Sequence, residues 1–150
     1  MLLFYSRIHM RSLLLLLIVL VGSAHAENSR NFGEYTVHFQ AVPTIMLPPA
    51  VATAQGFVRA KNMYLLNVTV IKNNQSMGTP VTAKVSVQAR DLIGKTTQIA
   101  LKEVDQGDAI YYIGSFRASN EDQWRFKLSV TPENSTSALE VSWEQKFDTL

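Results

Sequence analysis

The chain has 150 residues, with 14 Lys and Arg against 12 Asp and Glu, three His and no Cys. Without cysteine there can be no disulfide, no thiolate metal site and no lipid-modified cysteine. The formal charge of +2 is carried by Arg7 and Arg11 alone, so the rest of the chain is balanced. It lacks the basic excess that nucleic acids or anionic membranes attract.

The first 26 residues read as an export signal. Arg7 and Arg11 precede an unbroken apolar run over residues 13–21, followed by Gly22, Ser23, Ala24, His25 and Ala26. A charged stretch, a short apolar stretch and a small-x-small end are the parts of a cleaved leader. The apolar run is well short of the roughly 20 residues a membrane-crossing helix needs. Ala24 and Ala26 fit the small subsites of leader peptidase, which predicts cleavage between Ala26 and Glu27. Met10 could equally start the chain without changing the product. The expected product is one domain over residues 27–150, exported to the periplasm and free of lipid.

From residue 31 onward, apolar and polar residues alternate with period two, the spacing of a strand with one buried face. Tyr35, Val37 and Phe39 stripe the first strand, with Glu34, Thr36, His38 and Gln40 on the other face. Residues 43–57 break the pattern. Pro49 suits a first helical position and Gly56 the position just past a helix end, which predicts a short helix over residues 49–55 crossing between two sheets. Leu66, Val68 and Val70 stripe the next strand, and residues 81–90 alternate without a fault. Ile99 and Leu101 mark a shorter strand. Residues 109–116 are apolar on both faces, as expected of a central strand or one under a loop. Trp124, Phe126, Leu128 and Val130, and then Leu139, Val141, Trp143 and Phe147, complete the set. Turn-forming residues join them at 73–80, 93–95, 105–108 and 120–122.

About seven such strands in one domain predict an all-β fold, a single antiparallel β-sandwich of immunoglobulin or fibronectin type. The Cys–Trp–Cys hallmark is missing, so the expectation concerns architecture only. Trp124 and Val85 should be core, and Lys84 and Arg125 should face water.

Chemistry is sparse. His38 is the single histidine after the leader and falls on a polar stripe. Histidine with methionine thioethers can hold Cu(I), but Met46, Met63 and Met77 are scattered. Glu103, Asp105 and Asp108 offer oxygen ligands of the kind calcium takes, at a spacing ordinary for a turn. There is no Gly-x-Ser-x-Gly elbow, phosphate loop or paired-carboxylate arrangement. Three matches to the Asn-x-Ser/Thr pattern, beginning at Asn67, Asn74 and Asn134, are chance in a bacterial exported chain. Tyr111 lies on the stripe opposite Tyr112 and Phe116, and Tyr64 and Phe57 flank the irregular segment. The expected function is a non-enzymatic binding or accessory domain with no cofactor and a protein partner in the envelope. The alternative is a periplasmic metal-handling domain for copper or calcium. A patch of Ile45, Met46, Leu47, Val51 and Phe57 is the expected interaction surface, because Ile45, Met46 and Leu47 are unusually apolar for a loop.

Several stretches carry a family resemblance: Asn31-Phe32-Gly33-Glu34-Tyr35, Leu47-Pro48-Pro49-Ala50-Val51, Leu65-Leu66-Asn67-Val68-Thr69-Val70, Ala89-Arg90-Asp91-Leu92-Ile93-Gly94 and Gly107-Asp108-Ala109-Ile110-Tyr111-Tyr112. Together they resemble the bacterial exported family catalogued as domain of unknown function 4426. The resemblance implies a small periplasmic β-rich domain and brings no catalytic residues with it. A looser likeness joins residues 107–130 to sandwich domains of envelope and copper-handling proteins.

Overall fold

The computed structural model describes residues 28–148, so the leader and the processing point at Ala26 and Glu27 lie outside the described residues. Ten strands form two antiparallel sheets. The first sheet contains β1 (Ser29–Asn31), β2 (Tyr35–Pro43), β3 (Met63–Lys72), β4 (Thr79–Pro80), β7 (Lys102–Asp105) and β8 (Ile110–Arg117). Its order is β1-β2-β3-β8-β7, with β4 pairing the far end of β3. The second sheet runs β10 (Leu139–Phe147), β9 (Asp122–Pro132), β5 (Ala83–Asp91), β6 (Thr96–Ile99). With β2 taken as strand A, the sheets read A-B-E-D and G-F-C-C′, the strand order of an immunoglobulin-type sandwich.

The period-two stripes meet between the sheets. Val37, Leu66, Val68 and Val87 are buried with Phe126, Leu128, Val130 and Val141 in one cluster. Aromatic rings fill one end of it. Phe126 stacks on Trp143 at 4.7 Å between centroids, Phe39 meets Trp143 at 4.5 Å, and Tyr64 meets Phe147 edge-on at 4.6 Å. Trp124 and Val85 pack against this core while partly exposed, and Lys84 and Arg125 face water. Arg125 pairs with its cross-strand neighbour Glu144.

Two expectations about the chain path are corrected. The short strand expected around Ile99 and Leu101 is two strands, β6 in the second sheet and β7 in the first. The chain crosses at Ala100 and Leu101 by passing close over β8. A Cβ on Gly114 would lie 2.1 Å from the Ala100 carbonyl oxygen, so only glycine admits the crossing.

The helix, α1 (Pro49–Gln55), occupies the residues expected of it. Pro49 starts it, and Gly56 ends it in the left-handed conformation at φ 73°. The Phe57 amide donates to the Ala52 carbonyl at 2.8 Å and closes the end. It does not cross between the sheets. It joins β2 to β3, which are paired neighbours, and folds back on the outer face of the first sheet. That face carries Leu65, Tyr111 and Ile113, an apolar surface that an ordinary loop would leave wet. Leu47, Val51 and Ala52 cover it and form a second, smaller core. Thr44, fully buried, ties the two ends of the segment. Its hydroxyl accepts from the Ala60 amide at 3.1 Å and donates to the Ala60 carbonyl at 3.2 Å. β8 is therefore buried on both faces, by the sandwich core on one side and by this segment on the other.

Candidate functional site

The outer face of the first sheet is only partly covered by α1. Strand register sets out the remainder in rows. Gln40 on β2 lies opposite Asn67 on β3, which lies opposite Ile113 on β8. One row along, His38 lies opposite Thr69, and Tyr111 lies opposite Val104 of β7. In the next row Ile71 lies between Thr36 of β2 and Pro80 of β4, and the two apolar side chains face the groove. Under the helix, Val42 lies opposite Leu65. A neutral polar band thus runs between two apolar shoulders.

This band is the floor of a groove of about 490 Å³, within the range of small-ligand sites. Its lining includes His38, Gln40, Asn67, Thr69 and Tyr111 on the floor. Val42, Leu65, Ile71, Met77 and Pro80 form the shoulders, and Asn28 and Asp108 also line it. Met77 is 95 % exposed, on the turn between β3 and β4.

Two side chains of the floor each carry a buried polar atom with no hydrogen-bond partner among the described residues, the Asn67 side-chain oxygen Oδ1 and the Tyr111 hydroxyl. A buried polar atom left unpaired costs about 1–3 kcal/mol. Asn67 and Tyr111 occupy diagonal positions across the β3–β8 pair, within reach of long side chains. Burial raises the pKa of the Tyr111 phenol, and the Asp108 carboxylate adds to the rise. Burial lowers the pKa of His38, so its imidazole is neutral at neutral pH.

The expected patch residues part company. Leu47 and Val51 are 1 % and 3 % exposed, under the helix segment. Ile45 and Phe57 are partly buried, and Met46 is exposed. The Lys102 ammonium lies 5.0 Å from the Phe57 ring centroid and bonds the Gln55 carbonyl, which pins the helix end to β7. The carboxylates also separate. Asp105 accepts from the Gly107 amide in its own turn at 2.7 Å, and Glu103 accepts from the Tyr112 hydroxyl at 2.9 Å. Asp108 alone reaches the groove. His38 and Met77 both line it, while Met46 and Met63 do not. Among the described residues, no group of three or more His, Asp or Glu is placed to share a metal ion.

Asn67 was legible only as part of a chance glycosylation match. Tyr111 stood out as an aromatic on the face opposite its neighbours. The register that joins them is a long-range property, which alternation within one strand does not carry.

The fold and groove define an immunoglobulin-type sandwich domain with a ligand-sized groove on an outer sheet face. The chain belongs to the DUF4426 family, described as a domain of unknown function, whose model matches residues 29–149. It is similar to the crystal structure of a DUF4426 family protein from Pseudomonas aeruginosa PAO1. That match has 28 % identity and a TM-score of 0.70, over 81 % of this chain and 94 % of that one. It also shares its fold with FetP of uropathogenic Escherichia coli strain F11, a protein recombinantly expressed in the periplasm. The identity is 11 % and the TM-score 0.58, over 81 % of this chain and 93 % of that one. A copper-bound variant of FetP matches at 12 % identity and a TM-score of 0.58, over 81 % and 95 % of the respective chains. No curated protein matches the chain in sequence. Among the described residues, no helix is long and apolar enough to cross a membrane.

Proposed function

We propose that this chain is a periplasmic, non-enzymatic binding domain of the bacterial envelope, released from its leader after Ala26, that engages its partner on the outer face of the first sheet. The observation that carries the reading is the pair of unpartnered buried atoms, Asn67 Oδ1 and the Tyr111 hydroxyl, on the floor of one groove. Partner atoms that bond them would satisfy both. A binding role without catalysis is supported by the groove's chemistry. Its imidazole is neutral and has no hydrogen-bonded carboxylate among the described residues, and no activated nucleophile lies beside it. Export is supported by the leader pattern.

The test is photo-crosslinking in the native cell. A benzophenone residue at Gln40, on the groove floor, should capture an envelope component. The same residue at Lys127, on the outward face of the second sheet, should not. Equal capture at both positions, or none at Gln40, would refute the reading.

A second reading has one observation in its favour. His38 and Met77, an imidazole and a thioether, line the same groove, and such ligands suit Cu(I). Elemental analysis of protein purified from the periplasm decides it. Stoichiometric copper that is lost in both His38→Ala and Met77→Leu would favour this reading over the first.

A further inference from the structure

We propose that the groove takes an uncharged peptide segment, one main-chain amide of which bridges Asn67 and Tyr111 while its apolar side chains lie on the two shoulders. The proposal rests on the reading of this face as the binding surface, and adds the chemistry of the ligand.

The floor offers an acceptor on β3 and a donor on the neighbouring β8. Asn67 Oδ1 needs an N–H or O–H, and the Tyr111 hydroxyl has a proton to give. An amide presents an N–H and a carbonyl on opposite edges of one flat unit, which matches two groups set diagonally across a strand pair. Gln40, Thr69 and the neutral His38 extend the band with more groups that both donate and accept.

Charge narrows the choice. Among the described residues, Asp108 is the single charged side chain in the lining, and it is exposed. A carboxylate or phosphate ligand would enter with no opposite charge to meet it. The shoulders are apolar on both sides, Val42 and Leu65 beneath the helix and Ile71, Pro80 and Met77 across the band. Side chains of an extended peptide alternate, and two apolar shoulders flanking a polar strip suit that alternation. A neutral sugar would want an open aromatic face. Tyr111 on the floor is 3 % exposed and offers none, and Phe39 turns its ring inward onto Trp143.

The test titrates ¹⁵N-labelled protein with N-acetyl-valyl-leucyl-valinamide, and in parallel with maltotriose and with octanoate, following by NMR the backbone amide signals of the groove floor and, in proteins that keep it, the Asn67 side-chain amide. The expected result is saturable shifts with the peptide alone. Asn67→Leu and Tyr111→Phe should each weaken peptide binding about tenfold, with the backbone spectrum otherwise kept as evidence of folding. No peptide binding at millimolar concentration, or unchanged binding in both variants, would overturn the proposal. If maltotriose or octanoate shifts the Asn67 signals and the peptide does not, the peptide chemistry is wrong and the face remains a binding surface. Failure of that broader reading shows separately, as loss of the Gln40 crosslink.

Discussion

The two faces of β3 place one strand in two environments. Leu66, Val68 and Val70 point into the sandwich and are 0–1 % exposed. Leu65, Asn67, Thr69 and Ile71 point outward to a surface that is apolar at both ends and polar in the middle. The inner face has shape-matched partners throughout, including the ring cluster of Phe126, Trp143 and Phe147. The outer face holds buried polar atoms with no partner. Trp124 Nε1, at the rim of the inner face, is a third such atom, so the contrast lies in the surroundings: the inner one sits among packed rings, and the outer two belong to the polar side chains that line the groove.

Substitutions should divide along that line. The largest effect belongs to the inner face. Phe126→Ala removes a fully buried ring from the aromatic cluster and should cost about 3–5 kcal/mol in urea unfolding. Thr69→Ala, on the groove floor, should stay within about 1 kcal/mol. Similar losses at both sites would erase the distinction.

The helix-covered part of the outer face should behave as core. Leu47→Ala should cost about 2–4 kcal/mol, because the side chain is 1 % exposed beneath α1. Met46→Ser, one residue earlier and 63 % exposed, should cost less than about 0.5 kcal/mol. A Leu47 variant as stable as the Met46 variant would mean that the segment does not seal the face.

Tyr112 gives the inner face a pH signature. Burial is the main cause that pushes its phenol up to about 12. Its hydroxyl donates to Glu103 at 2.9 Å and accepts from the Ala83 amide at 2.7 Å. Between pH 10 and pH 12 the unfolded phenol loses its proton while the folded one keeps it. Stability therefore falls as pH rises through that window, by up to about 2–3 kcal/mol. Urea midpoints at both ends of the window should show this loss in the parent protein and a smaller one in Tyr112→Phe.

The smallest effect is on the outer face. His38 has its pKa lowered by burial, so the unfolded chain takes up the proton first. Stability should decline as pH falls below the ordinary histidine range, and His38→Gln should flatten the decline. An NMR titration that finds His38 at or above its ordinary value would contradict its burial in the groove.

Much of the sandwich was legible because a strand with one wet face writes its orientation into alternate residues. β5 and β9 show it without interruption, β10 breaks it only at Gln145, and the polar stripe of Thr36, His38 and Gln40 is indeed the outward face of β2. Pro49 and Gly56 marked the helix because each position demands a backbone that few other residues adopt. The short strands β1, β4 and β7 were not legible. Two to four residues carry no period, and their pairing comes from the longer strands they flank. The helix's destination was also hidden, since local propensity ends a helix but does not say which sheet face lacks cover. The groove was the least legible feature of all. Asn67 and Tyr111 come onto one face through the β3–β8 register, and no motif in either strand announces an unpaired atom.

Tyr111→Phe tests the contrast most directly, because it removes only the unpartnered hydroxyl from a buried ring. The account predicts that the variant unfolds at the same urea concentration as the parent protein or a higher one, since an uncompensated polar atom has been removed. A loss of about 1–2 kcal/mol would show that the hydroxyl is bonded in the free protein, and that this part of the outer face is ordinary structure.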